Sequence, residues 1–162
     1  MPRFEELKAA NERFVAAGGL EPTKDGRPTR HLAVVTCMDA RIDVFAVLGL
    51  HVGEAIVVRN AGARITEDVL RSLALAVHAL GVDEVVVMQH TKCGLTGVTD
   101  EELQQLTGAE VGFLTIHDHA EALERDLDVL WSTSYLSDLP HAIGSVYDVV
   151  TGQVEVLTRR DR

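Results

Sequence analysis

Long apolar runs are missing from this sequence of 162 residues. Its longest apolar segments are far shorter than the roughly 18 residues that a membrane-spanning helix needs. Charged residues, among them Arg3, Glu5, Glu6 and Lys8, stand near the start, where a signal peptide would be apolar. We therefore expect a cytoplasmic protein that does not enter a membrane.

Clusters of basic residues are missing as well. The chain has 25 Asp and Glu residues against 15 Lys and Arg residues, a formal net charge of −10, and its longest basic run is Arg159-Arg160. Surfaces that bind nucleic acid or anionic membranes need clustered positive charge. The composition therefore argues against both as partners.

Cysteine is scarce, since Cys37 and Cys93 are the only two. The sequence has no C-x-x-C motif, which disfavours a thioredoxin-type redox site. With a hydrophobic fraction of 46%, the chain can build a core without a disulfide. Metal binding or catalysis is favoured for the pair, whereas for Cys37 alone a buried structural thiol is the simpler interpretation.

Short apolar runs rich in valine alternate with amphipathic segments along the chain. Such runs are typical of strands buried on both faces of a parallel sheet, and Thr151-Gly152 indicates a terminal hairpin. The pattern predicts an α/β fold with a mostly parallel central sheet of four strands, an antiparallel C-terminal edge strand and helices on both faces. The predicted strands are 31–37, 54–60, 83–90, 144–149 and 153–157, and the predicted helices are 41–50, 66–81, 99–106 and 117–131.

We expect a single domain over residues 1–162, in which residues 1–30 form an N-terminal helix and an extended arm. The segment 3–17 has the apolar spacing of an amphipathic helix and ends at Gly18-Gly19. The segment 19–30 is rich in Pro, Gly and charge, which is typical of an extended connector. Such a connector lets the helix reach away from its own domain.

Polar residues follow the ends of the first three predicted strands. Cys37 ends the first strand, and His90 ends the third, with Cys93 three residues later. Ligands gather at the carboxyl ends of strands in open α/β sheets. Two thiolates and one imidazole suit tetrahedral Zn²⁺, so these residues predict a zinc site. Its fourth position could hold water, as in a catalytic site, or Asp39, as in a closed one.

Two motifs carry a resemblance to a known family. Cys37-Met-Asp39-Ala-Arg41, followed by His90-Thr-Lys-Cys93-Gly94, resembles the two-part signature of the β-class carbonic anhydrases, in a short form unlike the plant-type members. The resemblance implies one zinc ion per chain, bound by Cys37, His90 and Cys93. It also implies that Asp39 and Arg41 form a catalytic dyad, in which the acid either binds zinc or pairs with the arginine.

The reaction implied is reversible hydration of CO2 to bicarbonate and a proton by a zinc-bound hydroxide. Asp39, held ionised by Arg41, would accept a hydrogen bond and orient that hydroxide. The resemblance also implies a homodimer or higher homo-oligomer, with the active site near the subunit interface. The helix at 3–17 is then expected to pack on a partner subunit.

Four residues are predicted to line the substrate pocket, namely Ile56, Asn60, Gly62 and Gly94. Plant-type members carry a phenylalanine where Ile56 falls and a glutamine before the first cysteine, which this chain lacks. Many members also have a second glycine where Leu95 stands. Two alternatives therefore remain open: hydrolysis of carbonyl sulfide or carbon disulfide on the same scaffold, and a non-catalytic zinc module in which Asp39 is a permanent ligand.

A second metal site at His117-Asp118-His119 is the less favoured interpretation of that motif. Asp118 has the side chain of a helix N-cap, and His119 would then stand in the first helical turn. We therefore expect this motif to begin the helix at 117–131.

Overall fold

The structure, a computed structural model, describes residues 3–19 and 25–162. Strands and helices alternate along most of the chain, as the apolar pattern predicts. The helices are α1 (Arg3–Ala16), α2 (Val44–Leu48), α3 (Glu67–Leu80), α4 (Asp100–Thr107) and α5 (His119–Ser132). The strands are β1 (Leu32–Cys37), β2 (Ala55–Asn60), β3 (Glu84–His90), β4 (His141–Tyr147) and β5 (Val154–Asp161).

The five strands form one sheet in the order β2-β1-β3-β4-β5. The first four strands pair in parallel, and β5 pairs with β4 in the antiparallel sense. This confirms the predicted fold class. The register aligns Thr36 of β1 with Met88 of β3, so Cys37 and His90 follow within two residues at the same edge of the sheet.

Apolar side chains cover both faces of the sheet, because the central strands are buried on both sides. On one face, Val35 and Val87 pack with leucines of α3 and α5. On the other face, Val34 and Met88 pack with residues near α2 and α4, and this second cluster includes Cys37 and Cys93. Helices therefore lie on both faces, as predicted.

Helix ends follow the local sequence signals closely. Thr99 begins α4 with a capping box that includes Glu102. Asp118 caps α5 by accepting a hydrogen bond from the backbone N–H of Glu121, so His117-Asp118-His119 begins a helix as expected. Gly81 ends α3 with a φ of 77°, a left-handed conformation that suits glycine.

Helix α1 differs from the other long helices because none of its residues is buried. The side chains of Phe4 and Leu7 are 70% and 65% exposed, and Phe14 and Val15 are also exposed. The predicted connector at 19–30 lies partly outside the described residues. None of the described helices is long and apolar enough to cross a membrane.

Candidate metal centre

The ligand atoms of Cys37, His90 and Cys93 all lie within 4.8 Å of one another, and the three residues are buried. Parallel pairing of β1 and β3 brings Cys37 and His90 to the same edge of the sheet. The turn after β3 then returns Cys93, whose Sγ lies 4.0 Å from the Sγ of Cys37. In that turn Lys92 has a φ of 56°, which is uncommon for a side chain other than glycine.

The imidazole of His90 is oriented by the backbone that follows it. Its Nδ1 lies 2.9 Å from the carbonyl oxygen of Thr91. Because a carbonyl only accepts hydrogen bonds, Nδ1 carries the proton and Nε2 has a free lone pair. Nε2 is buried and has no hydrogen-bond partner among the described residues. A metal ion at this position would satisfy it, as in other histidine–metal sites.

The two thiols differ in their pKa. A hydrogen bond from the Cys93 thiol is the main cause that lowers the pKa of Cys37 to about 4, and the Gly62 N–H acts in the same direction. Hydrogen bonding to Cys37, followed by burial, raises the pKa of Cys93 above its ordinary value. The sulfur pair therefore shares one proton unless a cation replaces it. Two sulfur donors and one nitrogen donor fit zinc.

Asp39 and Arg41 form a bidentate ion pair beside the ligands. The Nε and Nη2 atoms of Arg41 donate to the two carboxylate oxygens of Asp39 at 2.9 and 2.7 Å. The backbone N–H of Arg41 also donates to Asp39 at 2.9 Å. Hydrogen bonding from Arg41 holds the pKa of Asp39 well below its usual range. Oδ2 of Asp39 lies 3.9 Å from Nε2 of His90, so the carboxylate faces the metal position while Arg41 holds it.

Three hydrogen bonds to backbone carbonyls, which sequence reasoning missed, hold this dyad in place. Arg41 donates from Nη2 to the carbonyl oxygen of Lys92 at 3.1 Å, which ties the dyad to the Cys93 turn. Arg59 donates to the carbonyl oxygens of Cys37 and Asp39 at 3.0 and 2.7 Å. The position of Arg59 near the end of β2 offered a signal, because the carboxyl ends of parallel strands meet at the edge where the ligands lie.

A cavity of about 600 Å³ opens above the ligands and the dyad. Its wall is mostly apolar and includes Met38, Ala61 and Leu95, together with the predicted Gly62 and Gly94. The other two predicted pocket residues, Ile56 and Asn60, are not among the described residues that line this cavity. Ile56 packs against the core cluster of α3 and α5, and the side chain of Asn60 bonds the backbone of Arg64 instead.

Gly62 has a physical requirement for glycine. Its φ is 75°, and a Cβ at this position would lie 2.7 Å from Cδ1 of Leu95. The missing side chain lets the backbone N–H approach Sγ of Cys37 at 3.3 Å. Glycine at this position therefore lets the backbone approach the metal centre.

A family model described as carbonic anhydrase matches residues 32–129. The chain is also 36% identical to Beta-carbonic anhydrase 1 of Mycobacterium tuberculosis over 137 residues, which cover 81% of this chain and 84% of that protein. This chain belongs to the β-carbonic anhydrase family. It therefore catalyses the reversible hydration of CO2 and uses zinc, as predicted from the two motifs.

This β-carbonic anhydrase is similar to two further proteins, one in structure and one in sequence. A crystal structure of carbonic anhydrase from Streptococcus mutans superposes with a TM-score of 0.86 at 35% identity, covering 98% of this chain and 99% of that one. A carbon disulfide hydrolase of Acidithiobacillus thiooxidans is 39% identical over 88 residues, which cover 51% of this chain and 41% of that protein.

Replacement of His90 by glutamine should remove zinc. The amide is a poor zinc ligand, and only two thiolates would remain. We expect wild-type protein to retain one zinc ion per chain after dialysis and His90→Gln to retain little, as measured by plasma mass spectrometry. His78→Gln is the matched control, because His78 is an exposed histidine of α3. Equal zinc contents in the two variants would contradict the assignment.

Proposed function

We propose that CO2 hydration takes place at the edge where Cys37, His90 and Cys93 bind zinc, and that Asp39 and Arg41 are the catalytic dyad. The convergence of the three ligand atoms within 4.8 Å, at the carboxyl ends of β1 and β3, carries this assignment. Bound zinc supplies the Lewis acidity that makes water nucleophilic near neutral pH. The apolar cavity admits CO2, a small and uncharged substrate.

Asp39 orients the attacking water. An ionised carboxylate can only accept hydrogen bonds, so it would accept one from the water after the other water proton has been lost to solvent, and an oxygen lone pair would be left directed at the carbon of CO2. Arg41 keeps the carboxylate ionised and aimed through its fork of two N–H groups. The Lys92 carbonyl holds Arg41 from its other side, which limits movement of the pair.

The ion pair also argues against the non-catalytic zinc module. Both carboxylate oxygens of Asp39 are directed at the guanidinium of Arg41, and a permanent bond to zinc would compete with this bidentate pairing. Because the pKa of Asp39 is lowered, its charged form is present above the ordinary carboxyl pKa and is lost only at much lower pH. Protonation of Asp39 therefore does not open or close the site near neutral pH.

Replacement of Asp39 by asparagine should abolish most CO2 hydration. The amide is neutral, so it loses its ion pair with Arg41 and no longer acts only as an acceptor. We expect kcat/KM in stopped-flow assays to fall by about 100- to 1,000-fold, the range for loss of one preorganised hydrogen bond to a reacting group, while zinc content stays unchanged. Asp43→Asn is the control, since Asp43 caps α2 and asparagine caps equally well. A wild-type rate for Asp39→Asn would refute the dyad.

Hydrolysis of carbonyl sulfide or carbon disulfide is the second candidate. The match to a carbon disulfide hydrolase favours it, and these linear substrates suit the same apolar cavity. We expect CO2 turnover to dominate, because the carbonic anhydrase relative matches 84% of its own length and the hydrolase only 41%. Sulfide release from both gases, measured beside CO2 hydration on one sample, distinguishes them. Faster sulfide release than CO2 hydration would favour the hydrolase.

We also infer that the protein is a cytoplasmic homodimer or higher homo-oligomer, and that α1 packs on the partner subunit. The exposed apolar side chains of α1 support this assembly, because a helix of one domain normally buries such a face. A reducing compartment would keep Cys37 and Cys93 available as thiolates. The single domain with an N-terminal arm at 1–30 stays a prediction.

Replacement of Leu7 by serine should weaken the dimer. Burial of a leucine is worth about 1.5–3 kcal/mol, and a symmetric dimer loses two of them, so the dimer dissociation constant should rise by about 100- to 10,000-fold. Sedimentation equilibrium measures this constant directly. Glu5→Ser places the same residue on the opposite side of the first turns of α1 and should leave it unchanged. Equal constants for the two variants would show that this face of α1 does not form the interface.

A further inference from the structure

Arg64 and Asp126 form a buried ion pair that belongs neither to the ligands nor to the dyad. Nε and Nη2 of Arg64 donate to the carboxylate of Asp126 at 2.8 and 3.3 Å. Their side chains are only 6% and 3% exposed. Desolvation offsets much of the attraction in such a pair, so stability alone is a weak account of it. Its contacts instead lead to the metal centre.

Asp126 and Arg64 hold the loop that follows β2. Oδ1 of Asp126 accepts the backbone N–H of Ile65 at 3.1 Å. The side chain of Asn60 closes the same loop, because it accepts the Arg64 N–H at 2.9 Å and donates to the Arg64 carbonyl oxygen at 2.6 Å. Gly62 lies within this loop and donates its N–H to Sγ of Cys37. The Arg64–Asp126 pair therefore anchors the loop at 60–65, whose Gly62 N–H contacts the ligand Cys37.

Arg64 also holds the loop that precedes α5. Its Nη1 donates to the carbonyl oxygen of Leu114 and also lies 3.5 Å from the carbonyl oxygen of Thr115. Leu114 has a φ of 57°. The next residue, Ile116, donates its backbone N–H to the carbonyl oxygen of Leu95 at 2.9 Å. Ile116 is buried in the cluster that includes Cys93. Arg64 is thus linked to the ligand Cys93 through Ile116.

Asp126 is linked to His90 through the residue that precedes this ligand on β3. Nε2 of Gln89 donates to Oδ2 of Asp126 at 3.4 Å. Oε1 of the same amide lies 2.8 Å from Nδ1 of His119, so Gln89 is held on both sides. Gln89 is fully buried and directly precedes His90 on β3. The neighbours of all three ligands are therefore linked to one buried pair.

We propose that Arg64 and Asp126 are positioning residues for the metal centre. They hold the loop at 60–65 so that the Gly62 N–H bonds the Cys37 sulfur, and they hold Ile116 against Leu95 beside Cys93. Hydrogen bonds to a ligand sulfur reduce the charge that it donates to a metal. This inference rests on the proposed function, since it takes the two cysteines as zinc ligands.

The test is the double variant Arg64→Met/Asp126→Asn. It leaves no unpaired charge in the interior, and the carbonyl oxygen of the introduced amide can still accept the Ile65 N–H, so the fold is retained. We expect zinc affinity, measured by competition with a chelator, to fall by about 10- to 100-fold, as for other groups that orient metal ligands. The thiolate-to-metal charge-transfer band of the Co²⁺-substituted protein should shift as well.

Arg160→Met is the matched control, because Arg160 pairs with Glu124 and Asp128 of the same helix α5 but lies on β5. We expect it to keep wild-type zinc affinity and the wild-type Co²⁺ spectrum. A double variant with the same zinc affinity and Co²⁺ spectrum as Arg160→Met, whatever its melting temperature, would overturn the proposal. If the double variant does not fold, Arg64→Lys is used, since lysine keeps the charge but lacks the fork of two N–H groups that bonds both carboxylate oxygens of Asp126. A wild-type affinity and spectrum for Arg64→Lys would equally overturn it.

Failure of the proposed function gives a different result. If Cys37, His90 and Cys93 are not the ligands, His90→Gln keeps its zinc whatever Arg64 does. If the ligands are correct but the positioning role is wrong, His90→Gln loses zinc and the Arg64 variants do not. The two outcomes are therefore separated by the same zinc measurement.

Discussion

The electrostatic demand of two thiols and one imidazole, brought together in a buried place, determines the chemistry of this protein. Without a cation, the sulfur atoms share one proton and Nε2 of His90 has no partner in the described chain. A divalent ion satisfies all three atoms at once. Loops, turns and strand ends around the site serve this arrangement, and the Gly62 N–H and the Arg59 contacts are parts of it.

Charge balance relates the ligands to the dyad. Two thiolates would neutralise a divalent cation, and Arg41 neutralises Asp39, so the ion, its sulfur ligands and the dyad together would be formally neutral. A neutral, mostly apolar cavity suits CO2, which has no charge, and gives little attraction to bicarbonate, which has one. Substrate entry and product departure are both compatible with this balance. An unpaired Asp39 would instead add a negative charge and could compete with water for the metal.

Local sequence patterns were reliable where the physics is local. The valine-rich runs and the Asp118 cap each depend on residues within one turn or one strand, and the structure has them as predicted. Pocket residues were harder, because a side chain near a strand end can face either the cavity or the core. Ile56 faces the core and Asn60 bonds Arg64, whereas Gly62 and Gly94 line the cavity. Their direction depends on strand twist and loop closure.

The sequence by itself determined the family, the fold class, the reaction and the metal, because two short motifs in the right order carry the donor set and the dyad. Only the tertiary structure decided how those residues are held. The pairing of Arg41 with the Lys92 carbonyl and the clamp of Arg64 on Asp126 join residues that lie 51 and 62 positions apart in the chain. Such contacts leave no periodic or local signal, since they exist only after the sheet has aligned its strand ends.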